Sequence, residues 1–220
     1  MSQELIHVYL MPGMAASPKI FQYIKLPENQ FKIHLLEWVI PLENESLKAY
    51  AERMSDRVKH QNIVLLGVSF GGVLVQEMLP FLSIRKLIIV SSVKCTQEIP
   101  PHMILAKTTK AYKLLPMQLA SNVDLLAKYA VGKGVKKRLE LYKTYLTVSD
   151  IRYLNWAVEK MVNWEHHNII HNIVHIHGDK DSVFPIKYIN GCLPISGGTH
   201  TMILNKYRWF NAHLPQIILD

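Results

Sequence analysis

Cysteine is scarce in this 220-residue chain: it has only Cys95 and Cys192, far apart in the sequence. Two distant thiols exclude a disulfide scaffold and a thiolate metal cage, so a reducing, cytoplasmic setting is expected. Both cysteines read as small buried hydrophobes. No apolar run approaches the roughly 20 residues that span a bilayer, so no membrane span is expected. Met1-Ser2-Gln3-Glu4 carries no basic patch, and His7 interrupts the apolar run 5–11 with no small-residue cleavage site after it. A secretory signal is therefore not expected. Internal repeats and low-complexity tracts are missing too. Acids are outnumbered, 17 Asp and Glu against 25 Lys and Arg, for a net charge of +8. The imbalance is local: between Lys94 and Lys143 stand ten basic residues and three acids, Glu98, Asp124 and Glu140. Such a stretch either attracts an anionic partner or is a set of solvated helix faces. No helix-turn-helix or ribonucleoprotein-type motif accompanies it, so nucleic acid is not an expected partner.

What is present is an alternation. Hydrophobic residues make up 49% of the chain and charged ones 19%, which fits one globular domain with a sizeable core. Apolar, β-rich runs at 5–11, 31–36, 63–66, 87–90 and 173–176 read as strands, with a last one at 191–195. Between them lie helical patterns. One opens at Ser46 and carries Tyr50, Met54 and Val58 at i+4 spacing; another covers 72–82; a terminal one begins at Thr201. Strands alternating with helices predict an α/β fold with a mostly parallel sheet of about six strands, flanked by helices. Residues 93–165 break the pattern, with helical stretches at 103–115, 119–129, 135–145 and 150–164 punctuated by Pro100-Pro101, Pro116 and Gly132-Lys133-Gly134. The expected organisation is a core of 1–92 and 166–220 with a helical cap, 93–165, inserted between two strands.

The chemistry-bearing motif is Gly67-Val68-Ser69-Phe70-Gly71, placed between the apolar run 63–66 and a helical pattern. Strand, G-x-S-x-G, helix is the layout of a nucleophile elbow. A serine at the tip of so tight a turn projects its hydroxyl, and Gly67 and Gly71 let strand and helix backbones pass without Cβ clashes. Its place at a helix start favours negative charge developing nearby. A serine hydroxyl needs an imidazole to take its proton, and the imidazole needs a carboxylate to fix its tautomer. In chain order the acid and then the histidine should follow the serine. An acid candidate lies in His177-Gly178-Asp179-Lys180-Asp181-Ser182-Val183-Phe184-Pro185, just after a strand. A histidine candidate lies in Gly197-Gly198-Thr199-His200.

With these three segments the chain resembles α/β-hydrolase-fold proteins, small serine hydrolases with a helical cap, over nearly its whole length. The resemblance implies Ser69 as nucleophile, Asp181 as acid and His200 as base. It selects Asp181 over Asp179 because the family's aspartate stands a few residues before the proline. It also implies an oxyanion hole built from the backbone N–H of Phe70 and a second N–H from the loop after the first strand, from Met14 or Gly13. Pro12 has no N–H to give. Many members carry His-Gly where this chain has Pro12-Gly13, and about six strands are expected here, without the first two of the usual eight.

Other residues have competing readings. His166, His167, His171, His175 and His177 invite a metal, but no Cys and only Glu165 accompany them, and no metal is expected. Ser91 and Ser92 end a strand, and Ser92 is a candidate for the pocket wall. Trp156 and Trp164, with Tyr153 and Met161, form a stripe that serves as a packed helix face or a wall beneath the cap. Phe184 is a further wall candidate. The expected function is hydrolysis of a carboxylic ester or thioester through an acyl-enzyme, without any cofactor. The substrate would be a small acyl compound, on an anionic carrier if the basic cap faces it. The same scaffold also supports lyases, haloperoxidase-like reactions, acyl transfer and non-catalytic binding. Oligomeric state is not legible.

Overall fold

The computed structural model describes residues 4–114, 143–167 and 172–220. Six strands form one sheet: β1 (Ile6–Met11), β2 (Phe31–Leu35), β3 (Ile63–Val68), β4 (Lys86–Val90), β5 (Ile173–Gly178) and β6 (Leu193–Ile195). Their order is β2-β1-β3-β4-β5-β6 and every pairing is parallel. Helices lie between strands at α1 (Leu47–Ser55), α2 (Phe70–Glu77), α3 (Pro101–Thr109) and α4 (Ile151–Asn163), and α5 (Met202–Asn205) and α6 (Tyr207–Leu219) follow the last strand.

The continuous apolar runs are explained by burial on both faces. In β3 Ile63 and Leu65 pack with Tyr50 and Met54 of α1, while Val64, Leu66 and Val68 pack with Phe210, Leu214 and Ile218 of α6. A strand covered on both sides has no polar face to alternate with. The helix starts follow their caps: Ser46 accepts from Ala49 N, Asp150 accepts from Tyr153 N, and Pro101 occupies the first turn of α3.

Three boundaries differ from the sequence reading. The helix expected over 72–82 begins at Phe70, because Ser69 is already its N-cap, and ends at Glu77 ahead of a short 3-10 turn containing Pro80. The terminal helix is two, α5 and α6, broken at Lys206, whose backbone leaves the helical region. The helix expected over 103–115 stops at Thr109, where Lys110 turns left-handed (φ 57°). The helix expected over 119–129, most of that over 135–145, Pro116, Gly132 to Gly134 and His171 lie outside the described residues. Within 93–165, α4 does not stand apart from the sheet. It buries Tyr153, Leu154, Trp156, Ala157 and Met161 in the same core as α1 and α2. Among the described residues no helix is long and apolar enough to cross a membrane.

Candidate active site

Ser69 sits between the end of β3 and the start of α2 with φ 53° and ψ −122°. That left-handed strain is held from two sides. Ser69 N donates to Val90 O at 2.9 Å, and Ser92 Oγ donates to Ser69 O at 2.7 Å. The turn tolerates no Cβ at Gly71, where one would stand 2.3 Å from Pro12 O. The loop after β1 therefore lies directly against the elbow. A Cβ on Gly13 would meet the Ser69 Cβ at 3.3 Å. This loop is pinned from behind, since Gly13 O accepts from the buried Trp38 Nε1 at 2.8 Å and from Ala16 N at 3.0 Å.

The fold brings the three distant side chains together. His200 Nε2 lies 3.0 Å from Ser69 Oγ, and His200 Nδ1 lies 2.9 and 3.1 Å from the two oxygens of Asp181. Asp181 follows β5, and His200 precedes α5, both at the carboxyl ends of the parallel strands, where open α/β sheets gather their ligands. Asp181 is buried, and its Oδ1 accepts from Val183 N at 2.8 Å and Phe184 N at 2.9 Å. Burial pushes its carboxyl up, but the His200 imidazole and these two N–H groups outweigh it and hold the group below the usual carboxylate range. Asp179 plays another part: its Oδ1 accepts from Gly197 N at 2.7 Å and fastens the loop that carries His200.

Two buried histidines stand behind Asp181. His177 Nε2 is 3.7 Å from Asp181 Oδ2, but it lies only 2.8 Å from Phe184 O. Burial holds His177 below its ordinary value, so it is neutral and its contact with Asp181 is no ion pair. Nε2–H then donates to Phe184 O, which leaves Nδ1 to accept from His175 Nε2 at 3.0 Å. His175, desolvated and beside His177, is driven down to about 3. This pair fixes the strand end that presents Asp181.

Above Ser69 opens a cavity of about 980 Å³. Gly13, Met14, Ser69, Phe70 and His200 lie on its floor, and Met103, Tyr145, Val158, Met161, Phe184 and Leu204 are among its largely apolar walls. Phe184 lines the cavity. Ser92 and Trp156 do not. The Ser92 hydroxyl points under the elbow to Ser69 O. Trp156 is packed against Tyr50 and Phe70, and its Nε1 donates to Glu45 O at 2.8 Å. Its neighbour on the helical stripe, Met161, reaches the cavity instead. Sequence reasoning missed Trp38, whose role as a clamp on Gly13 had no local signal. It also missed Tyr145, which comes from a segment far from any motif, and Leu204, which follows His200 by four residues.

No family model and no curated protein sequence matches the chain. Solved structures do. The chain is similar to a putative non-heme bromoperoxidase, BpoC, from Mycobacterium tuberculosis H37Rv, at 12% identity and a TM-score of 0.68, with 99% of this chain and 93% of that one covered. It is similar to a structure from work on carboxylesterases of the thaumarchaeon Nitrososphaera gargenis, at 14% identity and TM-score 0.69 over 99% and 92% of the two chains. It is also similar to the RedJ thioesterase of prodiginine biosynthesis in Streptomyces coelicolor, at 14% identity and TM-score 0.57 over 99% and 94%. At such identities the likeness is one of architecture.

Proposed function

The chain has the α/β-hydrolase fold, and from that premise we propose that it is a serine hydrolase acting on an ester or thioester. The observation that carries the reading is the continuous hydrogen-bond chain from Ser69 through His200 to Asp181, opening on an apolar cavity. Ser69 Oγ attacks the acyl carbonyl and forms the C–O bond while its proton passes to His200 Nε2. Asp181, ionised and buried, keeps the Nδ1–H tautomer and steadies the imidazolium. Backbone N–H groups of Phe70 and Met14 hold the oxyanion on the floor beside Ser69. As the carbonyl re-forms, the bond to the leaving alcohol or thiol breaks and the leaving group takes the proton from His200. Water then attacks the acyl-enzyme with His200 again as base, releasing the acid and restoring Ser69.

The apolar walls suit a medium-length acyl or aromatic group, and Lys180 at the cavity suits an anionic carrier. Two free cysteines suit a reducing, cytoplasmic setting. The test is labelling by a fluorophosphonate together with hydrolysis of an ester and thioester panel, with products identified. Wild type should be labelled and release free acid. Ser69→Ala should lose labelling and about 10⁴-fold or more of the rate while keeping its thermal midpoint. An unlabelled wild type that turns over no acyl substrate would end the reading.

A further inference from the structure

Three imidazoles that the proposed reaction does not use meet over β1 and β2. His7 is the second residue of β1, His34 the fourth of β2, and His60 belongs to the loop between α1 and β3. The parallel register sets Tyr9 beside His34, so His7, Tyr9 and His34 leave the sheet on one face. The loop folds His60 over them, its ring stacked on His7 with centroids 3.9 Å apart. One ring nitrogen from each of the three lies within 4.8 Å of the other two. Sequence reasoning looked for metal ligands among His166 to His177 instead, because those are close along the chain.

His7 Nδ1 and His34 Nε2 face each other at 2.8 Å. Two ring nitrogens at that distance share one proton. A tetrahedral zinc ion, with Zn–N near 2.0–2.1 Å, spaces its ligand nitrogens about 3.3 Å apart, so exchanging the proton for the cation asks the His7 and His34 rings to part by roughly half an ångström and the His60 ring, stacked on His7, to tilt until its nitrogen points at the ion. We propose that His7, His34 and His60 bind a late first-row divalent cation, Zn²⁺ in the first place, with a fourth position open to water. Beside the cluster lies a surface cleft of about 490 Å³ that Tyr9, His34, Glu37, Arg57 and His60 help to line. Three imidazole donors without carboxylate or carbonyl suit zinc and its neighbours, and they disfavour Mg²⁺ and Ca²⁺.

The surroundings fit this use. The Tyr9 hydroxyl lies 2.5 Å from His60 Nδ1 and accepts from Lys59 N at 3.0 Å. With metal on Nε2, His60 would turn its Nδ1–H to the second lone pair of that oxygen, the outer support that metal-bound histidines have. Lys32 faces His7 and His34, and Arg57 and Lys59 border the cleft, so like charge opposes the cation; Glu4 and Glu37 offset it in part. Bound there, the ion clasps edge strand β2 to β1 and to the loop before β3.

The test is titration of the EDTA-stripped full chain with Co²⁺ and Zn²⁺. One equivalent of Co²⁺ should give the visible absorption of a four-coordinate ion, which Zn²⁺ displaces, and Zn²⁺ should raise the thermal midpoint. His34→Gln and His60→Gln should each weaken binding at least tenfold, Tyr9→Phe about tenfold, and His213→Gln, at an exposed imidazole on α6, not at all. Unchanged affinity in both glutamine variants overturns the site. Should those variants fail to fold, a wild type whose thermal midpoint ignores Zn²⁺, or a Tyr9→Phe protein that binds as tightly as wild type, overturns it equally.

Discussion

Replacing Asp181 by Asn isolates the charge and the tautomer from the shape. Val183 N and Phe184 N both point at Asp181 Oδ1, at 2.8 and 2.9 Å. In Asp181→Asn the amide oxygen must therefore take the Oδ1 position, since an NH₂ there would face two donors. The NH₂ then occupies the Oδ2 position, 2.9 Å from His200 Nδ1. A donor at that point makes Nδ1 an acceptor and moves the ring proton to Nε2. Nε2–H then faces Ser69 Oγ across 3.0 Å, and the base is gone. A wrong tautomer of this kind costs about 10⁴ in kcat, or about 5.4 kcal/mol at 1.36 kcal/mol per decade. KM should change little, because the cavity walls are untouched. The assay is steady-state hydrolysis of a short acyl p-nitrophenyl ester, with the thermal midpoint measured alongside. Asp179→Asn is the control, since its amide oxygen can still accept from Gly197 N, and its rate should stay within about threefold of wild type. An Asp181→Asn enzyme within tenfold of wild type, or an equal loss in Asp179→Asn, refutes the assignment.

Gly71→Ala places a Cβ 2.3 Å from Pro12 O and 2.7 Å from Met11 O, both backbone, so the loop after β1 must shift away from the elbow. It should lose about 3 kcal/mol in urea unfolding together with the ester hydrolysis, and a variant as stable and active as wild type would contradict this close approach. Stability should fall as pH drops below about 6.5. His175 titrates near 6.5 unfolded but only at about 3 folded, so in between the unfolded chain binds the extra proton and gains about 1.4 kcal/mol per pH unit. His177 acts in the same direction, and the partly solvated His7 and His34 add less. His175→Phe should flatten this slope in urea titrations at pH 4–7; an unchanged slope would show that His175 is not held neutral.

The strands were legible both where burial on both faces made the run continuous, as at 63–66, and at the sheet edge, where the run at 191–195 contains the last strand but overstates its length. β6 is a short edge strand, Leu193–Ile195, with only Ile195 buried and a proline in the middle. The helix starts near 46 and 150 were legible, and in the structure Ser46 and Asp150 each cap a backbone N–H three residues on. Trp156 and Met161 were not separable in advance. Both belong to the buried stripe of α4, and only the positions of α1 and α2 decide that Trp156 turns to Tyr50 while Met161 turns to the cavity.

By itself the order of residues determined the alternating βα plan and the strained turn around Ser69, because these depend on periodicity and on glycines a few positions apart. It also placed an acid and a histidine after two later strands. Only the tertiary structure decided that Ser69, Asp181 and His200 lie within hydrogen-bond reach, that Trp38 clamps Gly13, and that His7, His34 and His60 converge. Those relations join segments 19 to 131 residues apart. Sheet register and loop paths set such distances, and no local pattern encodes them.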